Sequence, residues 1–165
     1  MLLAPLLLTA VAAFAEDGDV IARRRIPSSP EALYAAALDL GAHPTYWPAG
    51  CVSDWEPGSV RSGPGASARL VYHAGPWRRR LVATIAKAEA PRRIEVDHPG
   101  RKGFVTTWSF TPADTGTDVE LRTWILAPPK PFRKAYFSQV RPAWEACHAG
   151  ALQGLEQAVR AAPQP

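Results

Sequence analysis

Residues 104–126 read FVTTWSFTPADTGTDVELRTWIL, two runs of alternation about one turn. In the first run Phe104, Thr106, Trp108 and Phe110 share a face, and in the second Val119, Leu121, Thr123 and Ile125 do. Between them Pro112 to Gly116 supplies turn residues. Period-two alternation with polar residues opposite is the pattern of antiparallel strands that press one side on a core and wet the other. This hairpin sets the reading of everything around it.

Upstream the same rhythm continues. Cys51 to Glu56 is a short strand before Pro57-Gly58. Ala66 to His73 sets Ala68, Leu70 and Tyr72 against Arg69, Val71 and His73. Gly75-Pro76 turns the chain into Trp77 to Glu89, where Leu81, Ala83 and Ile85 oppose Arg80, Val82 and Thr84. Arg92 to Asp97 alternates Ile94 and Val96 with charges, and 99–103, PGRKG, is a turn. Nearer the N-terminus Asp19 to Ile26 reads as a strand ended by Pro27. Ser28 or Ser29 then caps a helix with Pro30 and Glu31 in its first turn, carrying Leu33, Tyr34, Ala37 and Leu38 at helical spacing up to Gly41. A second short helix or turn runs through 43–48. Downstream, after Pro128-Pro129, Phe137, Val140, Trp144, Cys147, Ala151, Leu155 and Val159 form one apolar stripe to about Arg160. Pro142 marks either the effective start of that helix or a kink.

The order is strand, two short helices, six strands, long helix: an α+β domain. A sheet of about seven strands with one apolar face needs a cover, and the last helix is the only long amphipathic element available. A strongly curved sheet wrapped around one helix leaves room between them.

Composition agrees with such a domain. The 165 residues, 47% hydrophobic and 21% charged, suffice for one domain with a real core. No linker or repeat divides 19–160. The net charge of +4 is spread over short clusters at Arg23–Arg25, Arg78–Arg80, Arg92-Arg93, Arg101-Lys102 and Arg133-Lys134, separated by acidic residues. That is a solvated polar face rather than a nucleic-acid groove. Trp77 beside Arg78 leaves weak contact with an anionic membrane surface open. Six Trp suggest either a lined cavity or a Trp-rich core.

The first fifteen residues, MLLAPLLLTAVAAFA, are apolar and end in Ala13-Phe14-Ala15, the small-x-small pattern of a signal-peptidase site. Their start lacks the usual Lys or Arg. We expect an exported protein cleaved after Ala15; an uncleaved anchor, or an overextended start on a cytoplasmic protein, are the alternatives. Cys51 and Cys147 are the only cysteines. Cys147 falls on the buried helix stripe and is expected to be free, with a disulfide as the alternative.

The 26–48 stretch, IPSSPEALYAAALDLGAHPTYWP, resembles the opening signature of the START-like (SRPBCC) superfamily, in which a Pro-Glu cap follows the first strand and Trp-Pro closes a helical pair. RRRLVATIAKAEAPRRIEVDH at 78–98 is similar to its central strand pair, and TTWSFTPADTGTDVELRTWI at 106–125 to its Trp-x-Phe-x-Pro…Gly-Thr-x-Val-x-Leu hairpin. The likeness is strongest to the polyketide cyclase/dehydrase and lipid-transport group, covers Asp19 to Val159, and implies the helix-grip fold. The superfamily hosts lipid and sterol carriers, hormone binders and cyclases, so fold does not select a role.

A search for chemistry yields no catalytic set. His43, His73, His98 and His148 are the candidates that titrate near neutral pH; His73 has outward parity, His43 lies in a loop and His98 ends a strand, places where a lone His usually caps or faces solvent. No paired ligand spacing predicts a metal, and no Gly-rich loop or nucleophile elbow predicts a cofactor or covalent chemistry. Strand parity and the helix stripe give the expected cavity lining: Tyr72, Leu81, Ala83, Phe104, Thr106, Trp108, Leu121, Val140 and Trp144, with Trp47 at the entrance. Arg24 shares the parity of Ile26 and would anchor an acidic group on the ligand. Trp124 has the opposite parity and is excluded. The leading expectation is a binder or carrier of an apolar small molecule: a lipid, a polyketide-like molecule or an aromatic. A cyclase or dehydratase using the same cavity is the first alternative. An interaction module with a vestigial cavity is the second.

Overall fold

The computed structural model describes residues 19–99, 104–125 and 136–162. In chain order the elements are β1 (Asp19–Ile26), α1 (Pro30–Leu38), a 3-10 turn (His43–Thr45), β2 (Val52–Pro57), β3 (Ser67–Ala74), β4 (Trp77–Glu89), β5 (Arg93–His98), β6 (Phe104–Ala113), β7 (Gly116–Ile125), a π-helical turn (Tyr136–Val140) and α2 (Arg141–Ala161). The leader, the 99–103 turn beyond Pro99, the 128–129 prolines, the Arg101-Lys102 and Arg133-Lys134 clusters and the side chain of Phe137 lie outside the described residues.

Seven antiparallel strands form one curled sheet in the order β1-β7-β6-β5-β4-β3-β2. From β2 to β7 it is a meander, each strand folding back on the last. Only the segment carrying α1 and the 3-10 turn crosses from one edge to the other. Two bulges, between Ser53 and Glu56 on β2 and between Ile85 and Lys87 on β4, break the register and add bend. The founding hairpin pairs Thr106 with Thr123 and Trp108 with Leu121, so the two inward faces meet as one surface. This is the helix-grip fold, with α2 held against the hollow side.

Local chemistry explains the ends. The Ser29 side chain accepts the Ala32 N–H at 3.3 Å, and Pro30 and Glu31 occupy the first turn of α1. Pro142 sits in the first turn of α2, where a missing N–H costs no helical bond, so it starts the helix and does not kink it. On α2 the residues Trp144, Cys147, His148, Ala151, Leu152 and Leu155 are buried against the sheet. The Arg23–Arg25 run splits by parity. Arg23 and Arg25 pair with Glu120 and Asp118 on neighbouring β7, both at 2.7 Å, while Arg24 turns to the helix side.

One expectation is overturned here. Cys51 and Cys147 are not free: they form a disulfide, with Cα atoms 5.7 Å apart. The reason lies in α2, whose Gly150 and Gly154 carry no side chain where Pro48 and the Tyr46 backbone press against the helix. A Cβ at either position would overlap them. That close seat lays the 46–51 segment along α2 and brings Cys51 into bridging range.

Candidate functional site

Between the concave sheet and α2 lies an interior cavity of about 30 Å³, lined by sixteen residues. The sheet contributes Leu70 and Tyr72 from β3, Ala83 from β4, Val96 and His98 from β5, Phe104, Thr106 and Trp108 from β6, and Thr123 from β7; α2 contributes Trp144 and His148. Leu40, His43, Trp47, Val52 and Trp55 close the remaining side. Only Trp47 and Trp55 among the lining are partly exposed, which puts the rim of the cavity at the crossing segment and β2.

The walls are rings set edge to face. Trp47 meets Tyr72 at 6.0 Å, Trp108 at 6.5 Å and His148 at 5.9 Å, and Trp144 meets Tyr72 at 5.2 Å and Phe104 at 5.0 Å between centroids. Such edge-on pairs stabilise beyond the area they bury. At about 30 Å³ the space is far smaller than an apolar cavity of roughly 150 Å³ that takes up benzene, so it holds a ligand only when some of the rings move aside.

The polar content of the wall was not expected from the sequence. His43 and His98 are buried, contrary to the expectation of capping or surface roles, and His148 is buried with them. His43 Nε2–H donates to the Ala37 carbonyl at 2.8 Å, fixing its tautomer. His98 Nε2 lies 3.4 Å from Thr106 Oγ1, Thr106 Oγ1 lies 2.9 Å from Thr123 Oγ1, and Thr123 Oγ1 lies 3.0 Å from His148 Nε2. Burial penalises the charged imidazolium, so all three rings stay neutral: His43 is pushed down to about 4, and His98 and His148 each to about 3. For His98 the neighbouring His43 and His148 add repulsion. Around the same space Trp47 Nε1, Trp144 Nε1, His98 Nδ1 and His148 Nδ1 are buried without a hydrogen-bond partner. His73, by contrast, sits half-buried near the end of β3 and shares a 2.9 Å hydrogen bond with Ser53.

Seven of the eleven residues singled out from the sequence border the cavity: Trp47, Tyr72, Ala83, Phe104, Thr106, Trp108 and Trp144. Four do not. Leu81, Leu121 and Val140 are buried but do not border it, and Leu81 instead lines a separate hollow with Asp54, Arg69 and Arg80. Arg24 reaches α2 with its side chain 42% exposed and does not border the cavity. Its Nε donates to Glu156 Oε2 at 2.5 Å, and Glu156 also receives Arg160 at 2.5 Å. This ion pair already engages the guanidinium that was expected to meet the ligand. Trp124 is 43% exposed on the outer face. Among the described residues no group of His, Cys, Asp and Glu has the arrangement of a metal site.

Known proteins supply context for this geometry. Residues 18–160 match the model of the family described as polyketide cyclase / dehydrase and lipid transport. A crystal structure of a protein from Thermus thermophilus superposes with a TM-score of 0.73 at 27% identity, covering 88% of this chain and 99% of that one. The solution structure of KanY protein gives a TM-score of 0.71 at 22% identity over 86% of this chain and 97% of that one. Ara h 8.0201 gives 0.61 at 12% identity over 87% and 98%; at such identities the likeness concerns fold alone. No curated protein sequence matches.

Proposed function

The chain belongs to the polyketide cyclase/dehydrase and lipid-transport family, and we propose that it binds and carries a compact aromatic or polyketide-like molecule between its sheet and α2. The family carries a fold for hydrophobic ligands; the compact-ring preference comes from the site. The observation behind it is the lining of the cavity, in which nine Trp, Tyr, Phe and His rings outnumber five aliphatic side chains, unlike the aliphatic tube that a long acyl chain would want. Flat rings slot between flat rings with little loss of contact. Burial of about 200 Å² of apolar surface contributes roughly 5 kcal/mol, set against the cost of moving Trp47 and its neighbours. The Cys51–Cys147 bridge supports work in an oxidising compartment, in keeping with an exported chain.

Titration with 1-aminoanthracene, a neutral apolar fluorophore, tests this reading. The wild type should take up one equivalent, and Ala83→Leu, which projects a larger side chain into the cavity, should weaken uptake at least tenfold while thermal unfolding stays cooperative. Uptake that Ala83→Leu leaves unchanged, or no uptake by the wild type, would end the proposal. A second reading, a cyclase or dehydratase, is favoured by one feature: neutral imidazoles and hydroxyls placed along a buried cavity, the setting in which acid–base groups act on a bound molecule.

A further inference from the structure

Hydrogen bonds along His98–Thr106–Thr123–His148 obey a count. Three contacts join the four side chains, and each needs one hydrogen. The two hydroxyls supply two. The third must come from Nε2–H of one histidine, and from only one. If both histidines donated, four hydrogens would crowd three contacts. If neither did, at least one contact would hold no hydrogen. Because both rings are neutral, the histidine that donates through Nε2 has a bare Nδ1, and the one that accepts at Nε2 carries its hydrogen on Nδ1. Both Nδ1 atoms are buried without a partner, on rings that line the cavity.

We propose that these four side chains form a proton relay that holds His98 and His148 in opposite tautomers, so that the cavity offers its ligand one N–H donor and one bare nitrogen. Trp47 Nε1–H and Trp144 Nε1–H, equally unpartnered, add two further donors. A buried polar atom left unmet costs about 1–3 kcal/mol, so the complementary ligand brings more acceptors than donors. An apolar ring compound carrying a carbonyl and one hydroxyl, a hydroxyketone, has that balance. The relay also inverts without changing charge. A ligand proton passes to the bare Nδ1, that ring's Nε2–H passes to the adjacent threonine, each hydroxyl hands its hydrogen onward, and the far ring receives at Nε2 and releases its Nδ1–H to the ligand. The ligand gains and loses one proton, and the relay ends as its mirror image. The ligand class rests on the cavity being a binding site; the tautomer relation does not.

Two measurements keep those claims apart. In the ligand-free protein, long-range ¹H–¹⁵N correlation spectra should show His98 and His148 with complementary Nε2–H populations that sum to one. Thr123→Ser should keep the relation, and Thr123→Val should release it. Both rings in the same tautomer, or a relation that Thr123→Val leaves intact, overturns the relay. In the second measurement 4-hydroxyacetophenone should bind at least tenfold more tightly than 4-isopropyltoluene, its hydrocarbon counterpart, and Thr123→Val should narrow the gap. Equal binding overturns the hydroxyketone assignment. If 1-aminoanthracene and both of these compounds fail to bind, the binding site itself is refuted and the ligand class with it, whatever the tautomers show.

Discussion

At the scale of single residues the buried histidines govern how the protein meets acid. His43, His98 and His148 are neutral when folded down to about pH 4, 3 and 3, whereas in the unfolded chain each takes up a proton near pH 6.5. Their folded values are lowered, so the neutral form favours the native state fully above pH 6.5. That advantage is lost as pH falls from there towards 4. Each ring changes stability by about 1.4 kcal/mol per pH unit in that window, and the three together by ~4 kcal/mol. Urea unfolding at pH 7.0, 6.0 and 5.0 should show this slope, and His148→Leu should reduce it by about a third; an unchanged slope would place His148 in contact with water. The signal for these residues was present in the chain. His98 shares the parity of Ile94 and Val96, and His148 follows Trp144 by four on the helix stripe. Parity gives direction, however, and does not tell whether a partner waits at the end. Thr106 and Thr123 become partners only through the pairing that sets them opposite each other. Arg24 shows the same limit: it has the parity of Ile26, but Glu156, 132 residues away, pairs with it and its side chain stays 42% exposed.

Among the elements, the crossing segment between α1 and β2 is the part that local patterning could least describe. Its course depends on Gly150 and Gly154 in α2, which would otherwise read as two ordinary weak points in a helix. Seated there, the segment presents Trp47 to the cavity rim and Cys51 to Cys147. The disulfide joins residues 96 apart in sequence, and a loop of that size restricts the unfolded chain by about 4–5 kcal/mol in the chain-entropy account. Paired Cys51→Ala and Cys147→Ala substitution should lower unfolding stability by up to that amount. It should also loosen the rim, seen as faster quenching of Trp47 by acrylamide relative to a Trp47→Phe background. A double variant as stable as the wild type would mean that packing alone holds the segment.

For the molecule as a whole, the sheet and its helix were legible because seven alternating runs and one amphipathic stripe leave few ways to bury themselves together. The strand ends follow the Gly and Pro turns closely, and β1 and β4 have the limits read from sequence. The size of the cavity was not legible. It depends on how far the aromatic rings lean across the hollow, a matter of rotamers and of edge-to-face contacts between residues far apart in the chain.

The placement of β1 against β7 has a consequence for how the protein is made. β1 leaves the ribosome first, yet its hydrogen-bonding partner lies 90 or more residues later: Ile26 is matched with Thr117 and Asp19 with Trp124. Chains ending before Gly116 therefore hold a strand with nothing to bind, and should stay sensitive to protease when released from stalled ribosomes, whereas chains extended through α2 should resist. A polypeptide that postpones closure of its sheet until residues 117–124 are made stays open for most of its synthesis.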